Sequence, residues 1–408
     1  MSSFTTSTSA DSSQHSSKLL RFTDGCTLFR LRIVVCLLSR RTLLIRNIRV
    51  SSSDPGLRDY EVSFLRIIDA ITNGTVIEIN DTGTQVCIKP GIITLNQYTD
   101  LQEQLIALDC HPSRSLGWYV QGLLPLLPFG AVDARLLLRG VTDGLENLDP
   151  SVDHLSASAL PLLHKFMVGG EEGDGNALAT EDYPPPSLKV VTRGSHPTGG
   201  GSVALHVPRV KFLRPATLLD PGLIRRVRGV CSSTRVAPTS ARRAAHAAKG
   251  VLHRLLPDVW IGVDARGGKD GGLSPGMKCC LVAESTTGVN LVAESCAEAG
   301  GGGDGRVNPE DMGTSAACNL LSEVERGGCV AASDQPLVLL LMCLTTEDVS
   351  SVRVGPLTKQ AVAGLRLFRD AFGVEMKVVG EREGEDGAGT VVLSCLGTGF
   401  TNTSRAVS

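Results

Sequence analysis

The feature that most constrains the fold is a repeated alternation of short Val/Ile/Leu segments of strand type with segments of helical periodicity. The apolar residues of segment 57–71 recur at helical spacing, and Asn73-Gly74 ends that segment. Segment 42–50 is typical of a strand, and two strand-type segments flank Thr82-Gly83, which predicts a hairpin. The order strand, helix, hairpin, helix, strand returns loosely along the chain, so we expect a fold that mixes strands and helices throughout.

The size of the chain, 408 residues, predicts more than one hydrophobic core. Residues 1–17 are rich in Ser and Thr, which predicts a disordered N-terminal tail. The longest uninterrupted apolar run, 337–344, is eight residues long, whereas a bilayer requires about 20. We therefore expect no membrane-spanning helix and no membrane partner.

The twelve cysteines are scattered, and none forms a Cys-x-x-Cys pair. This spacing supplies neither a zinc clip nor a redox motif, so the sequence predicts no metal site and no cofactor. In a chain of this size, scattered cysteines are typical of buried small side chains in a reducing compartment, the cytosol or the nucleus.

Charge is unevenly distributed, although the whole chain is nearly neutral, with 40 basic and 42 acidic residues. Segment 205–256 carries eleven Lys or Arg and one acid, whereas segment 294–350 carries ten acids and two arginines. Near neutrality excludes a uniformly basic nucleic-acid-wrapping protein, and an aromatic content of 4% argues against a surface built on base stacking alone. The basic segment could bind RNA in a salt-dependent way, or its arginines could lie on a solvated face or pair with the acidic segment.

Two further patterns concern chemistry. All eight histidines precede residue 254, which excludes a histidine nucleophile or base in the last 154 residues. The segment 193–201, Arg-Gly-Ser-His-Pro-Thr-Gly-Gly-Gly, lacks the Lys and Ser/Thr of a phosphate-binding P-loop, so a tight structural turn is the favoured interpretation.

Several strings, in this order and spacing, resemble the RNA 3′-terminal phosphate cyclase superfamily, and specifically its cyclase-like ribosome-assembly branch. The similarity extends from about residue 20 to the C-terminus. It is carried by the segments 48–49, 55–59, 71–80, 138–142, 149–153, 193–201, 220–222, 228–229, 235–236, 274–276, 281–284, 325–330, 355–358 and 397–400.

This resemblance implies an α+β fold. The family has a large domain of repeated units, each with two helices on a four-stranded sheet, and a smaller α/β domain inserted into it. We expect the large domain to comprise 18–217 and 301–408, and the inserted small domain to comprise 218–300.

The resemblance also implies that the cyclase reaction is absent. The catalytic histidine of the cyclases, which becomes adenylylated, matches Gln360 in the string 357–360. A carboxamide nitrogen has no available lone pair with which to attack the α-phosphate of ATP. Of the cyclases' N-terminal glycine-rich motif, only Gly25 and Arg30 keep the pattern. No catalytic residue is therefore assigned.

Arginines that match the cyclase phosphate-binding cleft remain, and they are Arg30, Arg49 and Arg58. A retained cleft with these donors would bind a phosphate or an RNA end without reacting. The alternative is that they form ion pairs with Asp59, Glu61 or the acidic segment.

By resemblance, we expect a non-catalytic nuclear and nucleolar factor of the small-subunit processome that acts in pre-rRNA processing. It would bind a ribosome-assembly GTPase and join pre-rRNA and a box C/D snoRNP. The expected contacts to RNA or to an acidic partner are Arg225, Arg226, Arg228, Arg235, Arg242 and Arg243.

Two enzymatic alternatives remain open. The first is an endoribonuclease of pre-rRNA that uses Arg366, Arg369 and Asp370, although this segment offers no histidine base. The second is an active ATP-dependent RNA 3′-phosphate cyclase, which would require a covalent protein–AMP adduct.

Overall fold

The structure is a computed structural model that describes residues 19–100, 104–145, 148–169, 184–298, 308–381 and 389–404. The predicted disordered tail, 1–17, lies outside the described residues. Each of the four mixed four-stranded sheets has a parallel pair formed by its first two strands and a hairpin formed by its last two. In three sheets the hairpin pairs with the second strand through its own last strand, whereas in the fourth sheet it pairs with the first strand through its own first strand. The α+β architecture implied by the family resemblance is thus confirmed.

The first unit has the strand order β1-β2-β5-β4, with a short β3-β6 pair beside it. Its elements are β1 (Leu19–Phe22), α1 (Phe29–Ser39), β2 (Thr42–Ile45), α2 (Asp59–Ile71), β3 (Thr72–Asn73), β4 (Val76–Ile79), β5 (Val86–Lys89) and β6 (Ile92–Ile93). The hairpin predicted around Thr82-Gly83 is confirmed as β4-β5. The strand predicted over 42–50 is wrong beyond Ile45, because Asn47 and Arg49 adopt positive φ angles of 61° and 48° that end an extended strand.

The second unit has the order β7-β8-β10-β9. Its elements are β7 (Ile106–Asp109), α3 (Leu116–Leu123), β8 (Ala134–Gly140), α4 (Val152–Ala157), α5 (Ala159–Val168), β9 (Ser187–Thr192) and β10 (Gly201–Val207). The Ser115 hydroxyl accepts a hydrogen bond from the Gly117 N–H (3.1 Å) and so caps the start of α3.

The third unit, of order β11-β16-β18-β17, is interrupted after its first strand by a fourth sheet of order β13-β12-β14-β15. The elements of the third unit are β11 (Thr217–Leu218), α8 (Gln335–Cys343), β16 (Val349–Val354), α9 (Lys359–Phe372), β17 (Lys377–Glu381) and β18 (Thr390–Leu396). The elements that interrupt it are β12 (Ile224–Thr234), α6 (Pro238–Leu252), β13 (Val259–Arg266), β14 (Gly276–Ser285), β15 (Asn290–Glu298) and α7 (Pro309–Arg326). The eight-residue apolar run is mainly α8, which is buried rather than membrane-spanning.

Helix α7 is relevant to the predicted domain boundary at residue 300, which remains a prediction. It follows residue 300 yet packs against β14, β15 and α6 of the inserted sheet. The approach of α7 to α6 is close, since any side chain at Gly313 would overlap the carbonyl oxygen of Ala244. These contacts group α7 with the inserted segment rather than with the region 301–408.

A buried ionic cluster joins the inserted sheet to the second unit. Lys278 on β14 is fully buried and ion-paired with Asp153, while its Nζ lies 3.5 Å from the Oδ1 of Asp143. Arg193 binds Asp153 (2.5 Å) and reaches Asp264 on β13 (3.0 Å). Burial by itself would raise the pKa of Asp153, but the charges of Lys278 and Arg193 outweigh it and hold this pKa well below its usual range.

The glycine-rich segment 193–201 forms a turn beside this cluster. Its Ser195 hydroxyl donates to Asp143 (2.5 Å), and Gly199 and Gly200 adopt positive φ angles of 69° and 81°. A side chain at Gly199 would crowd the carbonyl oxygen of Gly140, so the glycines allow close approach of backbone to backbone. The segment thus has the structural role that the sequence favours for it.

Candidate functional site

A cavity of about 340 Å³ lies where elements of all three repeated units meet. Its wall is formed by α1, the start of α2, α3 and the starts of α8 and α9. Arg30, Arg49 and Gln360, which are far apart in the sequence, all line it. The fold therefore brings together three of the four cleft positions singled out in the sequence, and this cavity is called the cleft below.

Arg30 projects from the first turn of α1 against Trp118 of α3. Its guanidinium carbon lies 4.5 Å from the centre of the indole ring, and the group donates to the carbonyl oxygen of Trp118 and to the Oε1 of Gln121 (3.3 Å). Burial lowers the pKa of Arg30 to about 9, so the side chain remains protonated at neutral pH. No carboxylate among the described residues is hydrogen-bonded to it.

Arg49 is held by Glu61, a residue of the first turn of α2. The Nη1 and Nη2 atoms bind the two carboxylate oxygens at 2.7 and 2.6 Å, and Nη1 also donates to the carbonyl oxygen of Gly56 (3.0 Å). Glu61 accepts the Arg58 N–H as well (2.8 Å), which satisfies a free donor at the start of α2. For Arg49 the ion-pair alternative is thus what the structure shows.

Arg58 does not line the cleft. Its side chain is ion-paired with Asp54, which precedes it by four residues in the exposed turn before α2. The partner is thus neither of the neighbouring carboxylates expected from the sequence, because Glu61 is occupied by Arg49 and Asp59 is directed to solvent. The geometry gives Arg58 no direct contact with a ligand in the cleft.

Gln360 is the second residue of α9, and its position is set by the cap of that helix. The Thr358 hydroxyl accepts a hydrogen bond from the Ala361 N–H (3.1 Å), and the Thr358 N–H donates to the side chain of Gln335 (2.8 Å). Gln360 is exposed and faces the cleft. Among the described residues that line the cleft, none is a histidine.

Cys26 is the thiol of the cleft. Burial, followed by the charge of Glu61, raises its pKa to about 12, so the thiol is protonated at neutral pH. A protonated thiol is a poor nucleophile, so Cys26 is not activated for covalent chemistry at neutral pH.

Two cleft residues, Arg114 and Trp118, were missed by sequence reasoning. Arg114 binds Asp149 (2.6 Å), and its guanidinium carbon lies 5.4 Å from the centre of the Trp118 ring, on which Arg30 also packs. Trp118 is one of only two tryptophans, which was a usable signal, but nothing in the local sequence marks Arg114. Because Asp149 offsets Arg114 and Glu61 offsets Arg49, Arg30 is the cation of the cleft that has no carboxylate partner among the described residues.

The six arginines expected to contact RNA or an acidic partner lie on or next to the inserted sheet and α6, away from the cleft. Most are engaged: Arg226 pairs with Glu284 (2.5 Å), Arg228 with Asp258 (2.8 Å), Arg243 with Glu310 (2.6 Å), and Arg235 donates to the carbonyl oxygen of Gly272. Arg225 and Arg242 are exposed and have no hydrogen-bond or ion-pair partner among the described residues. Only these two can bind a ligand without first breaking an internal hydrogen bond or ion pair.

The residues of the endoribonuclease alternative lie farther along α9. Arg366 and Arg369 are exposed one turn apart, and Arg369 lies 3.4 Å from the exposed carboxylate of Asp370. None of the three lines the cleft. In the described parts of the chain, no group of three or more His, Cys, Asp or Glu side chains could hold a metal ion, and no helix is long and apolar enough to cross a membrane.

The comparison with known proteins identifies the family. The family model described as RNA 3′-terminal phosphate cyclase matches residues 22–378. The chain belongs to the RNA 3′-terminal phosphate cyclase family. Among family members, the chain is 41% identical to an RNA 3′-terminal phosphate cyclase-like protein of Homo sapiens, covering 94% of this chain and 97% of the relative.

Other members of the cyclase family match over nearly their full length. A probable cyclase-like protein of Dictyostelium discoideum is 39% identical over 95% of this chain and all of the relative. An rRNA processing protein of Schizosaccharomyces pombe is 38% identical over 96% of this chain and 99% of the relative. The resemblance to the cyclase-like branch inferred from the sequence is confirmed.

Proposed function

We propose that this chain is a non-catalytic cyclase-like factor of small-subunit ribosome biogenesis that acts in pre-rRNA processing. The observation that carries the proposal is Gln360 in the cleft of a cyclase fold. Gln360 lines that cavity, and the family resemblance matches it to the adenylylated histidine of the cyclases. An amide at this position cannot accept AMP, and the only cysteine of the cleft among the described residues is protonated.

The role in rRNA processing is supported by the name of the Schizosaccharomyces pombe relative and by its nearly full-length match. In this chain, we expect a role in rRNA processing to depend on RNA binding rather than on catalysis. Arg30 in the cleft and Arg225 and Arg242 on the inserted segment supply cations that no carboxylate among the described residues neutralises by a direct ion pair. Such cations bind phosphates in a salt-dependent way without reading sequence.

The remaining elements of the proposal rest on the resemblance alone. They are binding to a ribosome-assembly GTPase, association with pre-rRNA and a box C/D snoRNP in the small-subunit processome, and residence in the nucleus and nucleolus. The proposed contact surface also includes four arginines that already have partners within the chain, namely Arg226, Arg228, Arg235 and Arg243. Each would have to release that partner in order to bind RNA or another protein.

The experiment is complementation of cells depleted of this chain, with small-subunit pre-rRNA measured by RNA blotting. We expect Gln360→Ala to restore processing fully, since no bond is made at that residue. We expect the charge reversal of Arg225, Arg226 and Arg228 to glutamate to fail and to lose co-purification of pre-rRNA. Failure of a folded, normally abundant Gln360→Ala protein would contradict the non-catalytic account, and full rescue by the charge reversal would remove this surface from it.

The endoribonuclease remains the second candidate because Arg366 and Arg369 are exposed side by side on α9. Two cations could stabilise the charge that develops on a scissile phosphate, although Asp370 is the only adjacent acid–base group on the helix. Purified protein incubated with a pre-rRNA fragment decides this point. Discrete cleavage that is lost in Arg366→Ala/Arg369→Ala would establish the enzyme, and uncut RNA would exclude it.

A further inference from the structure

Trp260 is the most conspicuous side chain that the account above leaves unexplained. It lies on β13, the edge strand of the inserted sheet, with 61% of its surface exposed, whereas the only other tryptophan, Trp118, is 5% exposed. Its neighbours Val259 and Ile261 point to the opposite face and are buried there. The opposite face of the strand is packed. On the face of Trp260, Asp264 and Lys278 are engaged in the ionic cluster with the second unit, and the indole lies on the exposed part.

The six-membered ring of Trp260 lies over Gly262. A Cβ built on Gly262 would lie 2.9 Å from the Cη2 atom and 3.3 Å from the Cζ3 atom of Trp260. The six-membered ring therefore occupies the space of the missing Gly262 side chain. Because most of the side chain is exposed, aromatic surface of the indole remains available to a planar ligand.

Positive charge surrounds this exposed ring. Arg228 is directly opposite Trp260 in the β12–β13 register, so both side chains lie on the same face of the sheet. Arg228, Arg226 and Arg225 all lower the pKa of the Asp258 carboxyl, Arg228 most strongly through its hydrogen bonds. Three guanidinium groups thus lie near two carboxylates, Asp258 and Glu284, and the exposed Arg225 carries the uncompensated charge.

We propose that the Trp260 face, formed by Trp260, Gly262 and Arg228, binds single-stranded RNA by stacking one unpaired base on the indole, with the adjoining phosphate held near Arg228 and the neighbouring Arg225. The inference rests on the proposed function as an RNA-contacting factor and gives that function a specific site. A flat aromatic ring beside surplus guanidinium charge suits a polyanion with planar bases. In a duplex, the same bases are stacked on one another and cannot reach the ring.

The experiment measures binding of a ten-nucleotide oligoadenylate and of an RNA duplex to the full chain. We expect Trp260→Ala to weaken oligoadenylate binding on the order of tenfold and Trp260→Phe to weaken it much less. Gly262→Ala keeps the tryptophan but displaces its ring, so we expect an intermediate loss of affinity. Leu255→Ala, which removes an apolar side chain of 64% exposure from the same inserted segment, is the matched control and should bind normally. Duplex binding should be the same for all variants.

Tryptophan fluorescence supplies a second readout. Oligoadenylate should quench the wild-type emission, and Trp260→Phe should abolish that quenching, because any residual signal would come from Trp118. Equal binding by wild type and Trp260→Ala would overturn this inference and leave the proposed function intact, whereas absence of RNA binding by the wild type would overturn both. Loss of a protein partner in Trp260→Ala with unchanged RNA affinity would also overturn it, since the face would then dock a protein.

Discussion

The carboxylate of Glu61 binds both terminal nitrogens of Arg49, at 2.7 and 2.6 Å, and is itself only 2% exposed. The same carboxylate accepts the N–H of Arg58 at the start of α2. One acidic side chain therefore fixes a wall of the cleft and the beginning of a helix. It also occupies a guanidinium group that would otherwise face a ligand in the cleft.

Replacement of Glu61 by glutamine should destabilise the fold measurably. The variant removes the charge that pairs with Arg49 and weakens the hydrogen bond from the Arg58 N–H, so we expect the free energy of unfolding to fall by about 2 kcal/mol. The control is Glu78→Gln, which breaks the exposed Lys89 pair (2.8 Å) and should cost far less stability, because solvent screens an exposed ion pair. Urea unfolding followed by circular dichroism compares the two, and equal losses of stability would contradict the structural role of Glu61.

The buried cluster around Asp153 predicts a specific loss of stability in acid. An unfolded aspartate takes up a proton near pH 4, whereas the folded pKa of Asp153 is lower. The stabilisation is therefore complete above about pH 4 and declines as the pH falls below it, by up to about 1.4 kcal/mol per pH unit for this group. Urea midpoints measured from pH 3 to pH 7 should show this decline.

The variant Asp153→Asn tests the source of that acid sensitivity. It leaves Lys278 and Arg193 buried without their shared partner, so we expect the free energy of unfolding at pH 7 to fall by about 3–5 kcal/mol. The part of the pH dependence below pH 4 that Asp153 contributes should also disappear. Asp109→Asn, at an exposed carboxylate 3.6 Å from Arg139, is the control and should change neither. An unaltered pH profile in Asp153→Asn would show that the ionic cluster is not its cause.

Thiol reactivity should separate Cys26 from Cys318. Cys318 on α7 is the only exposed cysteine among the described residues. Cys26, with a pKa of about 12, is ionised in about one molecule in ten thousand at pH 8. We expect iodoacetamide to label Cys318 first and Cys26 at least about a hundredfold more slowly, as followed by peptide mass spectrometry. Rapid labelling of Cys26 would indicate a thiolate in the cleft and would reopen the question of covalent catalysis there.

The two unpartnered arginines should control the salt dependence of RNA binding. Arg225→Ser/Arg242→Ser breaks no hydrogen bond or ion pair among the described residues, so we expect a stability change within about 0.5 kcal/mol. The slope of log affinity against log salt should decrease by about one for each phosphate that the variant no longer binds. Lys89→Ser, which removes an exposed cation of the first unit outside the proposed contact surface, is the control and should leave the slope unchanged. An unchanged slope in the double variant would place RNA binding elsewhere.

Local sequence patterns predicted the elements better than their assembly. Turn residues set the β4-β5 hairpin, and apolar spacing set α2, which begins two residues after its predicted start. The strand over 42–50 was overextended because Asn47 and Arg49 adopt positive φ angles; asparagine is a residue type that favours this conformation, but nothing in the residue type marks Arg49. The packing of α7 on the inserted sheet has no local signal either, since an amphipathic helix does not encode which sheet its apolar face will cover.

The candidate site was predictable only where a family string carried it. Such strings placed Arg30, Arg49 and Gln360 together, and the cleft unites them. Arg114 was not found, because its position depends on a hydrogen bond to Asp149, which is 35 residues away in the chain. The pairing of Arg49 with Glu61 was one of two alternatives that the sequence left open, and only the three-dimensional structure distinguishes it from a guanidinium group free to bind a ligand.

The central claim is that the amide of Gln360 leaves a cyclase fold without its nucleophile. The most direct measurement is incubation of the purified chain with α-³²P-labelled ATP and a 3′-phosphorylated RNA, followed by denaturation and gel electrophoresis. An active cyclase treated identically should retain label on the protein. Our account predicts no label on the denatured chain and unchanged RNA ends. Label that survives denaturation, together with 2′,3′-cyclic ends on the RNA, would contradict it.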